Sequence, residues 1–113
     1  AIYFSAHWCG PCRQFTPTLV KVYDQLKAKG LDWEVVFASS DQSEADMQKY
    51  IQEESMPWLT FKFGDPAIQK LSQMYQVRGI PTLVVLYPDG SVLTTQGRAQ
   101  IDQFGANAAM FGC

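Results

Sequence analysis

Trp8-Cys9-Gly10-Pro11-Cys12 is the stretch from which the rest of the chain can be read. It follows an apolar, strand-like run, Ile2-Tyr3-Phe4, and opens a helix-like one. Two cysteines at this spacing on a first helical turn present their side chains on one face. Their Cα atoms then lie roughly 5–6 Å apart, the separation a disulfide needs. The N-terminus of a helix also carries partial positive charge and N–H groups without helical partners, and both favour a thiolate. The spacing points to a pair built to make and break a Cys9–Cys12 disulfide.

Outward from this motif, residues 2–5 read as a strand and 9–29 as a helix. Phe15, Leu19, Val22, Tyr23 and Leu26 recur at the spacing of a buried stripe, and Lys21, Asp24, Gln25 and Lys27 face away. Gly30 is a natural stop, and Pro17 inside the helix predicts a kink where the bond back to Arg13 is lost. Residues 33–39 read as a second strand. Ser43-Glu44-Ala45-Asp46 resembles a capping box and opens a helix to about Glu54 with Met47, Tyr50 and Ile51 inward. Met56 to Phe63 reads as irregular or short extended structure. Pro66 to Tyr75 reads as a short helix, with Pro66 in its first turn and Ile68, Leu71 and Tyr75 on one face. Thr82–Tyr87 and Ser91–Thr95 read as strands joined by the turn Pro88-Asp89-Gly90. A last helix is expected from about Arg98 to Met110, weakened by Gly105. The opening strand–helix–strand implies a right-handed parallel crossover and the closing hairpin an antiparallel pair. The expected class is α/β, a mixed sheet with helices on both faces.

At 113 residues the chain reads as a single domain, 1–113. With 47% hydrophobic and 13% aromatic residues it can bury a core without staples. The net charge of −2 comes from well-mixed residues, 9 basic and 11 acidic, and argues for neither nucleic acid nor a membrane surface as partner. No apolar run approaches the roughly 18 residues of a membrane span. No basic-then-apolar signal segment opens the chain, an absence of little weight because the sequence begins inside a strand-like run. An odd count of 3 cysteines is no secreted disulfide framework, and a reducing compartment, cytoplasm or nucleus, fits best. Cys113 reads as a free terminal thiol rather than a third redox partner.

These residues carry a family resemblance. Trp8-Cys9-Gly10-Pro11-Cys12-Arg13 resembles the thioredoxin active-site motif. Val77-Arg78-Gly79-Ile80-Pro81-Thr82-Leu83, followed by Pro88-Asp89-Gly90, resembles that family's second signature, a loop whose cis proline faces the disulfide. Tyr3-Phe4-Ser5-Ala6-His7-Trp8-Cys9 and Met56-Pro57-Trp58-Leu59 resemble the tryparedoxin and nucleoredoxin branch. The likeness runs from Ile2 to about Ala99 and implies a thioredoxin fold. Three departures stand out. That branch usually carries Cys-Pro-Pro-Cys, whereas Gly10-Pro11 stands here, as in thioredoxin. Tyr3 occupies the place of a buried aspartate in typical thioredoxins. The family's N-terminal strand and helix are absent, so the chain reads as a trimmed module or one domain of a longer protein.

The resemblance and the residues together imply a chemistry. Cys9 is the expected nucleophile, which attacks a substrate disulfide to give a mixed disulfide. Cys12, deeper in the helix, is the expected resolving thiol. Gly10 and Pro11 tune the pair, the rigid Pro11 limiting how far the sulfurs separate and so favouring a reductant. Trp8 offers an aromatic plate to a polypeptide substrate. Ile80-Pro81 is expected to be cis and to face the disulfide, where the Ile80 backbone can pair with an extended substrate. Trp33 reads as packing, and Trp58 as either core or active-site face. Without an aspartate, the acceptor of the Cys12 proton is open among water, the departing thiolate and an unplaced side chain. His7 reads as an exposed loop histidine more readily than as that acceptor. Arg13 and Arg98 either attract anionic substrates or are simply solvated. Three cysteines and one histidine make a Cys₃His set in number, but without the second spaced ligand pair of a structural zinc site no metal is expected. The expected function is a monomeric protein-disulfide reductase without bound cofactor, supplied with electrons by a reductase or a small thiol or dithiol. The alternative is a redox-sensitive binding module with little turnover.

Overall fold

The structure is a computed structural model, and it describes residues 1–30 and 33–105. Along the chain these form β1 (Ile2–Ser5), α1 (Gly10–Ala28), β2 (Val36–Ser39), α2 (Glu44–Glu53), β3 (Leu59–Thr60), α3 (Pro66–Met74), β4 (Thr82–Leu86), β5 (Val92–Thr94) and α4 (Gly97–Phe104). The strands make one sheet in the order β3-β2-β1-β4-β5. β1 and β2 are parallel, with Ile2 opposite Val36 and Ser5 opposite Ser39, and α1 is their crossover. β3 adds in parallel to β2, and β4 lies antiparallel to β1. β5 returns antiparallel to β4. The fold class is the expected mixed α/β sheet.

Strand periodicity sorts the core into two layers. Tyr3, Phe37, Leu83 and Val85 face α1, α2 and α4 and pack on Phe15, Leu19, Leu26, Met47, Tyr50 and Ile101. Ile2, Phe4, Ala38 and Val84 face the other way, under Ile68 and Leu71 of α3 and Tyr75 at its C-terminal cap. Helices thus cover both faces, which explains why β1 and β4 read as continuous apolar runs.

The local signals act as the residues suggest. Ser43 caps α2 by accepting the Asp46 N–H at 3.1 Å. Asp65 caps α3, with Pro66 in its first turn. Gly30, at φ +76°, closes α1 in the left-handed region. α1 continues through Pro17 as a single helix, with Pro17 and Arg13 both on the exposed side, where water can satisfy the freed carbonyl.

The second strand and the last helix differ from expectation in their boundaries. Trp33, Glu34 and Val35 lie outside the second strand, because both neighbouring strands first pair with β2 at Val36. Met56–Phe63 holds short extended structure as expected, the two-residue strand Leu59–Thr60 at the sheet edge. The last helix starts at Gly97 and ends at Phe104, where Gly105 turns to φ +62°. Its expected continuation to Met110, and Cys113, lie outside the described residues. Among the described residues no helix is long and apolar enough to cross a membrane.

Candidate active site

The site sits where β1 ends and α1 begins. Cys9 is the N-cap of α1, and its sulfur accepts the Cys12 N–H at 3.3 Å. That bond is the one a capping Ser or Asp oxygen usually accepts. Gly10 is the first helical residue, and Pro11 follows in the first turn, where a missing N–H breaks no helical bond. Cys9 and Cys12 are joined as a disulfide with their Cα atoms 5.2 Å apart. Cys12 is fully buried, whereas Cys9 is 7% exposed, at the rim.

The loop before β4 closes over this turn. Ile80-Pro81 is a cis peptide, and the Ile80 carbonyl oxygen lies 3.7 Å from Cys9 Sγ. Trp8 stands beside them, 59% exposed, and its indole N–H donates to the Ser40 carbonyl at 3.1 Å. Two open grooves meet at the Ile80 loop, neither of them lined by Cys9 or Cys12. One of about 650 Å³ is lined by Phe4, Trp8, Ser40, Ile68, Val77 and Ile80. The other, about 580 Å³, runs past Arg78, Ile80, Pro81, Thr95 and Arg98. Ile80 borders both.

The turn that carries the site is pinned from β2. Asp41, buried just past the strand, accepts the His7 N–H and the Ser39 hydroxyl, each at 2.7 Å. The turns leaving β1 and β2 are therefore held together at the carboxyl ends of two parallel strands, the place where open α/β sheets present their sites.

The remaining sequence candidates divide. His7 is not a lone exposed side chain: it is half-buried, its ring meets Tyr50 edge-on at 5.8 Å, and Nε2 lies 2.9 Å from Glu53. Arg13 is exposed beside Glu54, whose carboxyl burial and Glu53 push up while Arg13 and His7 pull it down. Arg98 borders the second groove with its Nε 3.7 Å from Asp102. Trp33 packs half-buried against the core. Trp58 is core, 8% exposed and edge-on to both Tyr3 and Tyr23. Tyr3 lies below Cys12, its hydroxyl 2.7 Å from Thr16 Oγ1. Burial lifts its ionisation far above the ordinary phenol range, so it is a donor and not a base. Among the described residues no group of three His, Cys, Asp or Glu side chains is arranged to hold a metal.

Sequence reasoning missed Thr16, Ser40, Asp41 and Tyr50. Thr16, Ser40 and Asp41 belong to no sequence motif and had no role assigned, and Tyr50 read only as packing. A threonine on the buried stripe of α1, between Phe15 and Leu19, was the one available signal.

A family profile described as thioredoxin-like matches residues 1–92. Mouse nucleoredoxin is 46% identical over 101 residues, which are 88% of this chain and 23% of that protein. The chain thus spans about a quarter of the curated relative. Thioredoxin from Wuchereria bancrofti superposes with a TM-score of 0.84 at 42% identity, over 96% of this chain and 74% of that one. Tryparedoxin I from Crithidia fasciculata superposes with a TM-score of 0.84 at 40% identity, over 97% of this chain and 75% of that one. The chain belongs to the thioredoxin-like family, in the branch of the tryparedoxins and nucleoredoxins. The family and the Cys9–Cys12 pair together support thiol–disulfide chemistry at this site.

Proposed function

We propose that this thioredoxin-like module reduces protein disulfides, with Cys9 as nucleophile and Cys12 as resolving thiol. The observation that carries the reading is the Cys9 sulfur serving as N-cap of α1 at the rim of the fold. In the reduced protein the same position gives a Cys9 thiolate the Cys12 N–H and the positive end of α1. Helix N-termini hold reactive thiols at roughly pKa 3.5–7.5, thioredoxin being among the documented cases.

The thiolate attacks one sulfur of a substrate disulfide, and the other substrate sulfur leaves as a thiolate. Trp8 and the edge of Ile80 receive the polypeptide around that sulfur, its backbone pairing with Ile80 in a short strand addition. Cys12 then attacks Cys9 Sγ, the second substrate thiol departs, and Cys9–Cys12 is left oxidised. Gly10 and Pro11 keep the first turn compact, so the two sulfurs stay close and the dithiol is a reductant. A reductase or a small thiol or dithiol restores the dithiol, and the module needs no bound cofactor. It works as a monomer on protein disulfides in a reducing compartment, the cytoplasm or the nucleus.

The test is insulin reduction by wild type and Cys9→Ser with excess dithiol. Turnover by wild type and none by Cys9→Ser supports the reading. Turnover by neither, in folded protein with titratable thiols, overturns it and leaves a redox-switched binding surface.

A further inference from the structure

Beneath Cys12 lies a buried cluster that the proposed reaction leaves without a role. Ser5, Tyr50, Thr16 and Tyr3 are each 0% exposed. Thr16 Oγ1 is 2.8 Å from the Cys12 carbonyl oxygen, 2.7 Å from the Tyr3 hydroxyl and 2.6 Å from the Tyr50 hydroxyl. Tyr50 in turn lies 2.7 Å from Ser5 Oγ.

Proton counting gives this cluster a direction. A carbonyl only accepts, so Thr16 donates to Cys12. Thr16 then has no proton left, and its oxygen accepts from both tyrosines, the Tyr3 O–H also reaching the Cys12 carbonyl oxygen at 3.4 Å. The Tyr50 proton is therefore engaged, and Ser5 donates to the Tyr50 oxygen. Burial raises the ionisation of both phenols above the ordinary range, which keeps them donors. Every bond thus points toward the Cys12 carbonyl, and aligned hydrogen bonds strengthen one another. The cluster ends at a backbone carbonyl and not at a sulfur, so it carries no proton to or from the thiol.

We infer that Thr16, held by Tyr3 and Tyr50, is a positioning residue that fixes the Cys12 backbone for the resolving step. The inference rests on the reading of Cys12 as resolving thiol. In that step the Cys12–Cys9 sulfur bond forms and the bond between Cys9 and the substrate sulfur breaks. The substrate sulfur leaves with the electron pair, and one proton passes from the Cys12 thiol, through solvent, to the departing thiolate. With a phenol where an acid would stand, nothing in the cluster acts as a base. Its contribution is orientation, which governs the rate of an attack between two groups already joined in one chain.

Single-turnover rapid quench with a peptide disulfide, read by mass, separates the two steps as growth and decay of the Cys9 adduct. Thr16→Val removes the hydroxyl at nearly constant volume. It is expected to leave adduct formation at the wild-type rate and slow adduct decay about tenfold. Thr16→Ser, which keeps the hydroxyl, should restore decay to within about twofold of wild type. If Thr16→Val fails to fold, Tyr50→Phe removes one of the two donors to Thr16 and should slow decay alone by about threefold. Unchanged decay, equal slowing of both steps, or failure of serine to rescue overturns the inference. Absence of any adduct in wild type instead overturns the reaction on which it rests.

Discussion

Cys9 Sγ and the Ile80 carbonyl oxygen lie 3.7 Å apart although 71 positions separate the two residues. The contact joins the first turn of α1 to the loop before β4, so a chain bonded to Cys9 is within reach of the Ile80 backbone. An extended peptide gains main-chain hydrogen bonds there that a small disulfide lacks. N-methylating the substrate amide beside the attacked cysteine should raise KM roughly fivefold, the worth of about one hydrogen bond, with little change in kcat. Steady-state kinetics on a matched pair of peptide disulfides measures this.

Trp8 and Trp58 should behave as opposites. Trp8 is 59% exposed and Trp58 only 8%. Trp8→Ala should leave stability within about 0.5 kcal/mol of wild type and raise KM for peptide disulfides several-fold. Trp58→Ala should cost about 3–5 kcal/mol through lost burial and a cavity. Trp58→Phe should cost far less, because it also removes an indole N–H that has no partner in the core. Urea unfolding of the three variants with peptide kinetics on the folded ones decides the matter.

Alkaline pH should destabilise the fold through its buried phenols. Burial raises Tyr3 and Tyr50, and burial with the bond to Glu34 pushes Tyr23 up to about 12. Below about pH 10 folded and unfolded chains both hold these protons. Above it the unfolded chain sheds them while the folded one keeps them, so stability falls as pH rises toward the folded values. Urea midpoints between pH 8 and 11 should fall with pH, and Tyr3→Phe should flatten that slope. An unchanged slope in Tyr3→Phe would contradict the assignment for that residue.

Gly97 admits no larger residue. A Cβ built there would stand 2.8 Å from the Leu83 carbonyl oxygen, a backbone atom of β4. Gly97→Ala should therefore cost about 1–3 kcal/mol by forcing α4 away from the sheet. Thermal or urea unfolding of the single variant checks it.

The parts of the fold set by local chemistry were legible in the residues. The apolar stripe of α1, the Ser43 cap, the Gly30 stop and the turn at Pro88-Asp89-Gly90 each read from neighbouring positions. What was not legible depends on contacts between distant segments. Trp33 to Val35 has strand-like composition, yet no ladder partner reaches it until Val36. Trp58 had no periodic context, and only its packing on Tyr3 and Tyr23 places it in the core. The cysteine pair was legible because its geometry is local to one helical turn. The groups around it were not, because Ser40 and Asp41 come to the site from the turn after β2 and Tyr50 from α2.

Trapping tests the central claim most directly. Cys12→Ser, reduced and mixed with a peptide disulfide, has a nucleophile at Cys9 and no thiol to resolve the adduct. The account predicts a stable 1:1 mixed disulfide that peptide mapping places on Cys9, with no release of the second peptide thiol. No adduct, or an adduct mapped to another cysteine, would contradict it.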